Sequence, residues 1–208
     1  MHIIKSFLRR DATFMEIGAG DCALSFEVAE YVKFVFAIDV SETISKTDQT
    51  PHNFELLISN GTNMPVAERS IDVAYSNQLM EHLHPDDAIT QLRNICQSLA
   101  KGAVYICLTP NKLDGPHDVS KYFDDEATGF HLKEYTYREL RGLFRSAGFT
   151  KDFAVVGAKG KYCHCPTTIP ILVEYALSLF PTGIRKKLAS TRLFGAILKI
   201  RIVGVKGQ

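Results

Sequence analysis

The chain has 208 residues, 46% of them apolar or aromatic, enough for one domain with a sizeable core. Its 24 Lys and Arg nearly balance its 23 Asp and Glu, so no whole-molecule field draws it to nucleic acid, and no apolar run reaches membrane-spanning length. The five cysteines, Cys22, Cys96, Cys107, Cys163 and Cys165, are odd in number and scattered, which argues against a disulfide framework and for a reducing, cytoplasmic setting.

Strand and helix signals alternate along the chain. Thr13 to Ile17 reads as a buried strand, Ala23 to Tyr31 as a helix, Phe34 to Ile38 as a strand ending at Asp39, and Glu55 to Ile58 as a third strand. Ile71 to Ser76 is a fourth strand. Pro85 to Leu99 is a helix whose first turn carries Asp86 and Asp87, where the dipole favours negative charge. Ala103 to Leu108 makes a fifth strand, Thr136 to Ala147 a helix closed by Gly148, and Phe153 to Val156 a sixth strand. Thr168 to Phe180 then reads as an apolar helix, Gly183 to Leu193 as a basic one, and Ala196 to Val205 as a last strand. The alternation predicts right-handed crossovers and a doubly wound α/β sheet, with ligands at the C-terminal ends of its strands.

The first such end reads "FMEIGAGDC". Gly18 and Gly20 let backbone approach a ligand closely, which marks a nucleoside-type binding loop. Gly18, Gly20 and Ala23 also meet a relaxed dinucleotide spacing, with Asp39 about 20 residues on for a ribose, so a nicotinamide-dependent dehydrogenase is one reading. Glu16 weighs against it, because a buried carboxylate repels a pyrophosphate and better fits a positively charged ligand. S-adenosylmethionine offers a sulfonium, an ammonium, a ribose diol for Asp39 and no phosphate.

"EIGAGD", "FAIDVSE" and "SNGTNMPVAERSIDVAYSNQLMEHL" follow in the order of the motifs of class I S-adenosylmethionine-dependent methyltransferases, which the chain resembles from about residue 13 to about 157. The resemblance implies a Rossmann-like, doubly wound, mostly parallel seven-stranded sheet with the last strand antiparallel and a helical insertion, about 160–195, before it. It implies that Glu16, Gly18, Ala19 and Gly20 border the methionine and ribose portions of the cofactor, that Asp39 takes the ribose hydroxyls, and that Val40 packs near adenine. Asn60, followed by Gly61, stands where the family more often has an aspartate for the adenine amino group. Asn77 and Gln78 flank the methionine end, and "MEHL" puts His82 near the methyl donor.

Methyl transfer needs alignment more than proton chemistry, since the sulfonium already activates the methyl group. A hydroxyl acceptor gains from a base, and His82 and His117 are the candidates, with His84 and His131 behind them. The polar loop "TPNKLDGPHDVSKYFDDEATGFHLKEYT" is where an acceptor pocket is expected, and His131 and Glu134 read as its anchors. His117, Asp118 and His131 lack tight metal-ligand spacing, and Cys163-His164-Cys165 lacks a partner pair, so no metal is expected. The stretch 169–187 combines an apolar helix with "IRKK"; it reads as packing on the sheet edge or a dimer contact, or else as weak peripheral contact with an anionic membrane.

The expectation is therefore a single methyltransferase domain over 1–208 acting on a small-molecule or lipid- or sugar-linked acceptor, by O-methylation. The stretch before Glu16 is shorter than the helices the resemblance implies there. That leaves room for a fragment, for a lid supplied by the insertion, or for a non-catalytic relative that binds the cofactor or acts through interactions.

Overall fold

Five short apolar strands run parallel in the computed structural model, which describes residues 1–41, 50–124 and 126–208: β1 (Thr13–Ile17), β2 (Phe34–Asp39), β3 (Phe54–Ile58), β4 (Ile71–Asn77) and β5 (Leu99–Thr109). Three further strands, β6 (Phe149–Ala158), β7 (Lys161–Pro166) and β8 (Ile200–Lys206), complete one sheet in the order β3-β2-β1-β4-β5-β8-β6-β7. β8 lies antiparallel to both neighbours, β5 and β6. This is a Rossmann-like sheet.

Side-chain alternation splits the core into two layers. Phe14, Val35, Val73 and Tyr75 face α1 (Ala23–Ala29), where Val28 meets them. Met15, Ala74 and Tyr105 point the other way, against Leu92 and Ile95 of α2 (Pro85–Ser98) and Phe144 of α3 (Tyr137–Ala147). Both faces are covered at the centre of the sheet, which is why β1 is buried almost throughout, whereas the outer strand β3 keeps Glu55 exposed.

Among the described residues the sheet has eight strands, not seven. The additional one, β7, forms a hairpin with β6 through Lys159 and Gly160, which have φ values of +52° and +80°. Two successive left-handed residues suit the twist of a two-residue hairpin. Cys163, His164 and Cys165 therefore lie on a strand rather than a loop, with the cysteines on one face and His164 stacked against Phe7 and Phe153 on the other. β5 starts at Leu99, which pairs with Ile71 before a register shift.

Between β7 and β8 there are three helices, not two: α4 (Thr168–Ser178), α5 (Thr182–Ala189) and α6 (Arg192–Leu198). Leu113, Leu177, Ala189 and Leu198 give them a small core of their own. Buried Glu174 ties α4 to the sheet side, accepting from Asn111 Nδ2 (2.8 Å) and the Tyr137 N–H (2.7 Å). Leu172, Leu179 and Leu193 stay exposed on these helices, and no described helix is long and apolar enough to cross a membrane.

Candidate functional site

The C-terminal ends of β1, β2 and β4 meet over the glycine turn. Gly18 and Gly20 have φ of +72° and +53°, and a Cβ at Gly20 would meet nothing within 4 Å, so the turn presents bare backbone to open space. The Gly20 N–H donates to Asp39 Oδ2 at 2.9 Å, and the Ser41 N–H to Oδ1 at 3.0 Å. Each oxygen keeps acceptor capacity for further donors.

Glu16 shares the α1 side of β1 with Phe14, which carries its carboxyl under the helix rather than into solvent. It is 7% exposed and accepts from Ser25 Oγ at 2.6 Å. Burial pushes its pKa up to about 7, against the opposing hydrogen bond from Ser25. Cys22, two residues after Gly20, is fully buried and left-handed at φ +58°.

Val40 is 66% exposed beside Gly61, whose Cβ would lie 3.7 Å from Val40 Cγ1, so the two form a ledge for a flat ring. Asn60 Oδ1 is taken up locally, accepting from the Thr62 and Asn63 N–H groups and from Thr62 Oγ1. Ala19 is buried under the turn, and Leu79 packs against Gly18. That contact brings the Asn77-Gln78 turn over the glycines; Gln78 is itself left-handed at φ +53°, its N–H donating to the Leu108 carbonyl.

From Asn77 and Gln78 a cavity of about 500 Å³ opens toward Thr109, Asp114, His117 and Arg201. His117 sits 3.4 Å from Asp114 and 3.2 Å from Glu134. Burial disfavours its charge, yet the two carboxylates outweigh burial and raise its pKa to about 9. At neutral pH it is an imidazolium, a donor rather than a base. The sequence grouping of His117, Asp118 and His131 is not what the fold assembles. Asp118 instead caps the backbone, accepting from the Ser120 and His131 N–H groups.

His82 lies on a 3-10 turn, Met80–His82, with Nδ1 3.1 Å from the Phe130 carbonyl. A carbonyl only accepts, so Nδ1 is the donor, which in the neutral ring leaves the lone pair on Nε2. Its ring meets that of His131 edge-on at 5.0 Å. His84 caps α2 instead, accepting from the Asp86 N–H.

Residues 15–107 match the family described as a methyltransferase domain, over the strands and turns just described. Over that stretch the chain is similar to S-adenosylmethionine-dependent methyltransferases. It is 27% identical over 144 residues to a probable S-adenosylmethionine-dependent methyltransferase of Mycobacterium tuberculosis, a stretch that is 69% of this chain and 50% of that protein. The chain thus spans about half the length of the curated relatives it matches. In fold, this methyltransferase-like chain is similar to the YcgJ protein of Bacillus subtilis, with a TM-score of 0.64, 14% identity and coverage of 99% and 97% of the two chains. It also resembles the 1,6-didemethyltoxoflavin-N1-methyltransferase of Burkholderia thailandensis, solved with bound 1,6-didemethyltoxoflavin and S-adenosylhomocysteine, with a TM-score of 0.58, 20% identity and coverage of 96% and 72%.

S-adenosylmethionine, the cofactor that these relatives are named for, fits the residues present. A glycine turn open where a Cβ would stand, a carboxylate beside it with spare acceptor capacity and a buried carboxyl poised near neutrality match a ribose and a cationic amino-acid end. Asn60 departs from the fit, because its oxygen already serves its own turn. Sequence reasoning missed Asp114, Tyr162 and Arg201, which line the cavity. Arg201 is buried on β8, donating to the Val155 and Gly157 carbonyls and facing the Tyr162 ring at 5.2 Å. An arginine in a strand this apolar was its one visible signal.

Proposed function

We propose that the chain binds S-adenosylmethionine along the β1, β2 and β4 ends and methylates an oxygen of a small-molecule or lipid- or sugar-linked acceptor held in the 500 Å³ cavity. The observation that carries this reading is the pairing of Asp39 with the open Gly20 turn beside buried Glu16. When bound, the cofactor supplies an electrophilic methyl group on a sulfonium.

The chain's own residues then have distinct duties. Asp39 takes the ribose hydroxyls, Glu16 faces the positive end, and Val40 with Gly61 supports the adenine ring. Asn77 and Gln78 separate the cofactor side from the acceptor side. His117, held positive by Asp114 and Glu134, and Arg201 suit an acceptor rich in oxygen, because both donate. His82 Nε2 is the free lone pair that an acceptor hydroxyl needs, which favours oxygen over an already nucleophilic amine. The five unpaired cysteines fit a reducing compartment such as the cytoplasm.

Calorimetric titration with S-adenosylmethionine and S-adenosylhomocysteine, with NAD as control, tests the cofactor assignment. Saturable binding of the first two alone is expected. Asp39→Ala is expected to weaken it by about 1–3 kcal/mol through loss of charge-assisted hydrogen bonds. Unchanged affinity in a folded Asp39→Ala protein rejects the ribose role, and binding of NAD alone rejects the cofactor.

A further inference from the structure

The two segments "MEHL" and "HLKEYT" are distant in sequence, and backbone hydrogen bonds hold them together. The Leu132 and Lys133 N–H groups both donate to the Glu81 carbonyl, at 2.7 and 3.2 Å. That docking sets His131 beside Glu81 and His82, and one ligand atom from each of the three lies within 4.8 Å of the others.

Each of the three is oriented by a neighbour that leaves one ligand atom free. Glu81 is fully buried; its Oε2 accepts from Thr109 Oγ1 at 2.8 Å, whereas Oε1 is buried with no hydrogen-bond partner. A buried carboxylate oxygen without a partner is costly, and native structures seldom leave one. His131 has Nδ1 2.7 Å from Glu134 Oε1, so a proton on Nδ1 is held by that carboxylate and Nε2 is left with its lone pair. A carboxylate behind an imidazole is the usual outer support of a metal-bound histidine, fixing its tautomer and raising its basicity. His82 is fixed in the same sense by the Phe130 carbonyl.

We infer that Glu81, His82 and His131 form a binding site for a divalent transition-metal ion of the Zn²⁺, Mn²⁺ or Co²⁺ kind, with open positions for an oxygen of the methyl acceptor. Two imidazoles and one carboxylate suit such ions better than Mg²⁺ or Ca²⁺, which prefer oxygen throughout. Three protein ligands leave at least one position vacant, the pattern of a reactive rather than a structural site. The exposed side of His82 gives an entry path, and Thr109, which holds Glu81, also lines the acceptor cavity. The ion would take the His82 lone pair. It would also lower the pKa of a bound hydroxyl, letting that proton leave to solvent without a separate base. The acceptor half of this inference rests on the methyltransferase reading; the metal half does not.

The test is titration of the chelator-treated chain with CoCl₂, read by visible d–d absorption, and with ZnCl₂ and MnCl₂ by calorimetry. Binding of one ion per chain is expected. It should be lost in His82→Ala, an exposed position that leaves the core intact, and in Glu81→Gln and His131→Ala. Glu134→Gln should weaken it by about 10- to 100-fold, as outer-shell partners do. His52→Ala, at an exposed position ahead of β3, should change nothing. No saturable binding, or binding unaltered in both His82→Ala and His131→Ala, overturns the site. A parallel S-adenosylhomocysteine titration of the wild type separates the two ideas. Cofactor binding without metal binding removes only the metal site, and metal binding without cofactor binding removes only the methyltransferase reading.

Discussion

Glu16 shows how a single buried carboxyl can couple ligand binding to pH. Its folded pKa of about 7 stands above the ordinary 4.5, so its ionisation costs folding stability progressively as pH rises through that window. A cationic ligand reverses the preference and favours the ionised form. Binding is therefore expected to release a proton at about pH 6 and to weaken as pH falls below about 7. Calorimetry at that pH in two buffers of different ionisation enthalpy measures the release. Glu16→Gln should abolish it, and an undiminished release in that variant would assign the proton to another group. The acidic residue before the glycines was legible in sequence because burial of Glu16 follows from strand alternation. The His117 charge was not, since Asp114 and Glu134 reach it only through the fold of a long loop.

At the scale of elements, the first turn of α3 is closed from both sides. Thr136 Oγ1 accepts from the Glu139 N–H, and Glu139 Oε2 accepts in return from the Thr136 N–H. Thr136→Ala is expected to cost about 1 kcal/mol, seen as a lower urea midpoint with unchanged m. A shift within error would mean that packing of Leu140 and Phe144 alone sets the helix. Elements of this kind, with a cap, an apolar face and a glycine stop, could be read directly. β7 could not, because Lys159 occupies a left-handed hairpin position where Asn or Asp usually announces the turn. The third inserted helix, α6, escaped notice for another reason. Its apolar residues run straight into those of β8, and only the break at Lys199 separates the two.

Across the whole molecule, the inserted helices depend on one buried carboxylate. Glu174 satisfies Asn111 Nδ2 together with the backbone N–H groups of Tyr137 and Arg138 at the start of α3. Glu174→Ala takes away the acceptor of the Tyr137 and Arg138 N–H groups and leaves Asn111 Nδ2 with the Leu198 carbonyl, and is expected to destabilise the chain by more than about 2 kcal/mol, at about 1–3 kcal/mol for each buried donor left unmet. Urea unfolding with a fluorescent probe on α4 measures it. A loss confined to the probe, with the global transition unmoved, would show that the helices detach as a separate unit. Candidate site residues in the glycine turn were visible in sequence because they are neighbours along the chain; the meeting of Glu81 with His131 was not, since tertiary hydrogen bonds alone bring the two together.

The position of β8 bears on how the chain is made. β5 and β6 each bond to β8 and not to one another, so both expose unpaired strand edges until residues 200–206 have left the ribosome. The half-sheet carrying Glu16 and Asp39 can pair during synthesis, while Arg201, which lines the cavity proposed for the acceptor, arrives with β8. The glycine-turn side of the cavity can thus be assembled on a nascent chain that still lacks the side carrying Arg201.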